Sequence, residues 1–126
     1  MRVVDTSAWI EYLIESPLGD RVERELPRRD EWLVPTIVQL ELAKWLTRRL
    51  GEDAAEAVIA FYETCEIVDL NTEIALAAAE LGVHHGLATA DAIIYATAQA
   101  HGADVLTCDR HFATLPGVRF IAKHDA

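Results

Sequence analysis

The chain has 126 residues, 52% hydrophobic and 25% charged, proportions of a folded domain rather than of a disordered or low-complexity segment. Eleven basic against twenty-one acidic side chains give a formal net charge of -10, which argues against a protein that holds nucleic acid by general attraction alone. No apolar run approaches the roughly 18 residues of a membrane span, the acid-bearing start MRVVDTSAWIEYL does not read as a secretory leader, and Cys65 and Cys108 form neither a CxxC pair nor a zinc-spaced cluster. One cytoplasmic domain over residues 1–126, with reduced thiols, is the expectation.

In chain order, MRVV is a short β-branched run ending at Asp5, and TSAWIEYLIES follows with apolar residues at helical spacing. Residues 18–26 read as a second short helix closed by Pro27, and EWLVP as a second strand stopped by Pro35, after which Thr36 can cap a helix. From Thr36 to Leu50, Val38, Leu42, Trp45 and Leu46 share one face, and Gly51 ends the pattern. Residues 52–64 give another amphipathic helix, CEIVDL a third strand, and Asn71 to His85 an alanine-rich helix stopped by Gly86. A helix from about Thr89 to His101, a buried strand in ADVLTCD, a helical turn in HFATLP and a last strand in VRFI complete the chain. Strands that alternate with helical crossovers predict a mostly parallel sheet covered on both faces, an α/β/α sandwich.

Ligands in such sheets bind beyond the carboxyl ends of the strands. Asp5 directly follows the first strand and Asp109 directly follows VLTC; Asp91 opens the helix that precedes the Asp109 strand, and Glu41 lies in the helix after Pro35. Taken singly, each has a structural explanation. Asp5 can cap its helix, Asp91 can complement a helix dipole with Thr89 as cap, Asp109 can be a turn residue, and Glu41 can pair with Lys44. Four such explanations must coincide at one sheet edge. Carboxylates gathered there raise one another's pKa or recruit a cation, and an all-oxygen set suits Mg²⁺, with Mn²⁺ as a substitute. A metal so held can neutralise phosphate charge and acidify a bound water, the chemistry of phosphodiester hydrolysis.

The segments VVDTSAWIEYL, TIVQLELAKWL, LATADAIIYATA and VLTCDRHF resemble, in order and spacing, the motifs of PIN domains, and most nearly those of VapC-type toxins. The resemblance extends from Met1 to about Ile121. It implies a PIN-like three-layer fold in which Asp5, Glu41, Asp91 and Asp109 are the four metal-site acids and Thr107 is the family's frequent small hydroxyl residue. It further implies an endoribonuclease that cuts RNA, homodimerises and is held by a VapB-type antitoxin. The rival readings are an aspartyl-nucleophile phosphatase and a stand-alone or degenerate PIN domain that only binds. The first wants a second Asp two residues after Asp5, where the chain has Ser7; the second gains little from clustered, repelling acids.

Seven of the eleven basic residues fall between Arg21 and Arg49, so Lys44, Arg48 and Arg49 near Glu41 are candidates for phosphate contacts. His84-His85 lacks a third metal ligand nearby, and His111, close to Asp109, reads as a loop histidine without an assigned role. Trp9, Tyr12, Trp32, Trp45, Phe61 and Tyr95 sit in apolar patterns and read as core or dimer contacts rather than base-stacking platforms.

Overall fold

The structure, a computed structural model, describes residues 1–123. The first half of the chain runs β1 (Arg2–Val4), α1 (Thr6–Leu13), α2 (Pro17–Glu23), β2 (Trp32–Pro35), α3 (Thr36–Arg49), α4 (Glu52–Tyr62) and β3 (Glu66–Val68). The second half runs α5 (Thr72–His85), α6 (Thr89–Ala100), β4 (Asp104–Thr107) and β5 (Val118–Phe120). Among the described residues the strands form one all-parallel sheet in the order β3-β2-β1-β4-β5, clothed by helices in an α/β/α sandwich. The first two crossovers step outward from β1 on one side, and the chain then returns past β1 to place β4 on the other. The β1/β4 junction is therefore the point at which strand order reverses, where open parallel sheets leave a crevice.

The short strands are buried on both faces, so they read as continuous apolar runs rather than as alternation. Val3, Val4, Leu33, Val34, Val105 and Leu106 are all fully inaccessible to solvent. Trp9, Trp32 and Phe61 pack as a three-ring cluster with centroids 5.0, 5.2 and 5.9 Å apart, and Arg29 lies over Phe61 at 5.1 Å. Tyr95 is buried, with its hydroxyl donating to the Pro116 carbonyl at 2.7 Å. These rings belong to the core, and the buried ones have no face free for a base. No helix among the described residues is long and apolar enough to cross a membrane.

Helix ends follow local chemistry where the local groups are free to act. Ser16 accepts from the Gly19 amide at 2.9 Å and Pro17 takes the first helical position, so α2 begins one residue earlier than its apolar pattern suggests. Asn71 caps α5 by accepting from the Ile74 amide at 2.9 Å, and Gly86 closes it in the left-handed region at φ 68°. Thr36 and Thr89 are not caps. Pro35 and Ala88 hold those positions without a side-chain bond, because each threonine is already the first helical residue. The Thr36 hydroxyl instead accepts from the Leu70 amide at 3.3 Å, tying α3 to the chain beyond β3.

Gly19 is where α2 meets α1. A Cβ there would stand 2.2 Å from the Glu11 carbonyl oxygen, which is backbone and cannot rotate away. Gly19→Ala is expected to lower stability by about 1–3 kcal/mol, read as a reduced urea midpoint at unchanged slope; an unchanged midpoint would mean that the two helices separate freely.

Candidate metal centre at the carboxyl edge of the sheet

The β1–β4 register pairs Val3 with Val105 and Val4 with Leu106, so the next residue on each strand, Asp5 and Thr107, emerges at the same edge. The Asp5 amide donates to the Leu106 carbonyl at 2.9 Å, extending the ladder one step. Asp5 stands at the N-cap position of α1, yet its side chain makes no capping bond. Its Oδ2 instead accepts from the Ser7 hydroxyl at 2.7 Å and the Thr107 hydroxyl at 2.8 Å. Each hydroxyl also accepts from a backbone amide, Ser7 from Cys108 at 3.0 Å and Thr107 from Asp109 at 2.9 Å. One carboxylate oxygen is thus pinned by two hydroxyls that are themselves pinned by the loop after β4.

Asp5 is only 3% exposed. Burial pushes its carboxyl above the ordinary range, the Ser7 and Thr107 bonds pull the other way, and the Asp109 charge adds to the rise. Asp91, in the first turn of α6, is pushed up to about 6, first by burial and then by the charges of Asp5 and Asp109, with His111 opposing and Glu41 adding. The four sequence-derived acids therefore act on one another across the edge that the register creates.

They are not equivalent in geometry. One oxygen each of Asp91 and Asp109 and one ring nitrogen of His111 lie within 4.8 Å of one another. His111 Nδ1 is 3.3 Å from Asp109 Oδ1 and 3.7 Å from Asp91 Oδ2. A single 3₁₀ turn, Arg110–Phe112, makes this possible: Asp109 caps it by accepting from the His111 amide at 2.9 Å, and fully buried Phe112 anchors it. Glu41 stands outside that group, its Oε1 accepting from the Thr6 hydroxyl at 2.7 Å rather than pairing with Lys44. Ser7, Thr6 and His111 are the residues that sequence reasoning left without a site role. A signal existed for the first two, since the hydroxyl pair directly follows the strand-terminal acid; for His111 the helical turn expected in HFATLP was legible, found at Arg110–Phe112, but nothing local placed the ring beside Asp91.

Oxygen donors with one imidazole at the rim fit a hard divalent cation, and the upward push on Asp91 comes first from burial and then from the neighbouring carboxylates. Arg2 makes a bidentate pair with Asp104 at 2.8 Å for both contacts and also meets Glu25, while Arg28 pairs with Asp30 and Glu31. Lys44, Arg48 and Arg49 are exposed on α3.

Removing the Thr107 hydroxyl tests the pinning. Thr107→Val deprives Asp5 of a donor and the Asp109 amide of its acceptor, with an expected loss of about 1–3 kcal/mol in folding stability and of roughly ten- to a hundredfold in divalent-metal affinity. Urea denaturation and calorimetric Mg²⁺ titration read the two; unaltered affinity would mean that Asp5 is oriented without Thr107.

An all-parallel sheet whose strand-order reversal is lined with carboxylates defines a class of acid-edged α/β domain suited to holding a divalent cation. The chain belongs to the PIN-domain family, whose model matches residues 2–118. Among solved structures it is similar to the toxin-antitoxin complex from Klebsiella pneumoniae, with TM-score 0.81, 22% identity, and coverage of 94% of this chain and 96% of that one. It is also similar to the sarcin-ricin loop cleaving toxin VapC20 of Mycobacterium tuberculosis, at TM-score 0.77, 21% identity and coverage of 94% and 97%. FitAcB from Neisseria gonorrhoeae aligns at TM-score 0.74 and 25% identity, covering 94% and 96%. No curated protein matches the sequence.

Proposed function

We propose that this chain is a Mg²⁺-dependent endoribonuclease and the toxin of a VapBC-type toxin-antitoxin pair, acting in the cytoplasm as a homodimer. The observation that carries the reading is the acidic edge itself, with Asp91 raised to about 6 by burial and by the charges of Asp5 and Asp109. Membership of the PIN family supports a nuclease, and the toxin-antitoxin complexes among the similar folds support an antitoxin partner.

Asp5, Asp91 and Asp109 are the residues to hold the metal, with Glu41 on the same edge and Mn²⁺ as an alternative occupant. When bound, the cation supplies charge neutralisation at the phosphate and a more acidic water. The chain's own part is positional. Ser7 and Thr107 donate to Asp5 Oδ2 and so fix its direction, and Thr6 orients Glu41 by donating to its Oε1. The Asp109 cap on the 3₁₀ turn holds His111 at the rim. No side-chain nucleophile is required, and Cys108, whose thiol burial pushes up to about 11, stays protonated.

The test is cleavage of RNA by the purified protein in Mg²⁺ or Mn²⁺, abolished by EDTA and restored by added metal, with growth arrest on expression relieved by the product of an adjacent antitoxin frame. Protein that leaves RNA intact with both metals would overturn the nuclease; cleavage without growth arrest would leave a stand-alone PIN nuclease.

A further inference from the structure

Beside the carboxylate edge lies a cavity of about 550 Å³ that shares Ser7 and Asp109 with it, within the roughly 300–1,000 Å³ range of small-ligand pockets. Its walls come from α1, the loop after β4, the last residue of β5 and Lys123. Ile10 and Phe120 give it apolar sides, Glu11 one carboxylate, and Arg110 and Lys123 two cations. Cys108 lines it as well. Glu11 Oε2 accepts from the Ser16 hydroxyl at 3.2 Å, which orients the carboxylate and leaves it capacity to accept further bonds.

We propose that this cavity is a nucleobase subsite that receives a guanosine of the RNA strand adjoining the scissile phosphate. The proposal rests on the nuclease reading and names part of its substrate. An aromatic ring beside an aliphatic side chain suits the flat face of a base, and cations at the rim suit the flanking phosphates. The carboxylate selects among bases by donor pattern. Guanine presents two adjacent donors, N1–H and the N2 amino group, to an acceptor-only partner. Adenine, cytosine and uracil each place an acceptor next to their donor on the same edge and so meet a carboxylate with one bond and one repulsion. The cavity joins the carboxylate edge at Asp109, so a base held in it brings its own phosphate to that edge.

The experiment uses isotopically labelled full-length protein in EDTA, titrated with guanosine 5′-monophosphate and separately with adenosine 5′-monophosphate. Amide shifts are expected at Glu11, Cys108, Arg110 and Phe120, with the guanosine nucleotide bound about tenfold more tightly. Glu11→Gln, whose amide oxygen can still accept from Ser16, should bring the two affinities together, and Phe120→Leu should weaken both. In RNA cleavage, a guanosine preference at one position beside the cut should flatten in Glu11→Gln. Equal affinities in the wild type, shifts mapping elsewhere, or no nucleotide-dependent shift, as for a cavity reserved for a protein partner's side chain, would each overturn the subsite. Because binding is read without metal or turnover, cleavage lacking base-selective binding counts against the subsite alone, and selective binding without cleavage counts against the nuclease.

Discussion

Asp91→Asn is expected to reduce Mg²⁺-dependent RNA cleavage by about a thousandfold, while Glu41→Gln reduces it by only about tenfold. The difference follows from position. Asp91 faces the charges of Asp5 and Asp109 and lies with Asp109 and His111 inside one donor group, so an uncharged amide there removes attraction for the cation at its centre. Glu41 stands outside that group, with one oxygen already engaged by Thr6, and a glutamine can keep that bond. The ratio kcat/KM on a labelled RNA, measured at limiting and saturating Mg²⁺, separates metal loss from fold loss. Activity of Asp91→Asn within tenfold of wild type would remove Asp91 from the metal set.

The same substitution is expected to stabilise the metal-free protein. Asp91 has its folded pKa raised from 3.8 to about 6. Between those values the folded state holds a proton that the unfolded state has released, so stability falls as pH rises through the window. Below pH 4 both states are protonated and nothing is lost; above pH 6 the full penalty of about 3 kcal/mol applies, at 1.36 kcal/mol per pKa unit. An 18% exposed side chain keeps solvent screening modest. In EDTA at pH 8, Asp91→Asn should therefore melt on the order of 10 °C above wild type, with the gap closing towards pH 4. Mg²⁺ should then raise the wild-type melting temperature and leave the variant nearly unmoved. A gap of constant size from pH 4 to 8, or a variant that melts lower, would mean that Asp91 is not held in a strained charge cluster.

The two expected outcomes together are those of a site that sacrifices stability to keep charge in place. The burial of Asp5, to 3% exposure, has the same character: its hydroxyl partners oppose the upward push on its pKa, but burial outweighs them.

Much of the fold was legible because its signals are local. Continuous apolar runs such as VLTC can be strands only if both faces are covered, and the alternation with helices then requires a parallel sheet. Asn71 and Gly86 announced both ends of α5 by side-chain and backbone chemistry confined to a few residues. Thr36 and Thr89 misled for the complementary reason. A threonine before an apolar run looks like a cap, but whether it sits just before the helix or on its first turn depends on where the preceding strand or loop delivers the chain. The role of Thr36 in holding the Leu70 amide could not be read from its neighbours, because its partner is 34 residues away.

The sequence by itself determined the order of elements and put Asp5 and Asp109 just beyond the ends of buried strands, since both follow from short continuous apolar runs and from the 3.6-residue helical period, which need no distant partner. Tertiary structure alone decided how those acids differ. Strand order β3-β2-β1-β4-β5 and the Val4–Leu106 register set Asp5 behind Ser7 and Thr107. The 3₁₀ turn anchored by Phe112 carried His111 to the rim beside Asp91 and Asp109, and α3 gave Glu41 to Thr6. Burial, shared donors and mutual repulsion are properties of groups brought together from remote parts of the chain, and packing fixes them where spacing does not.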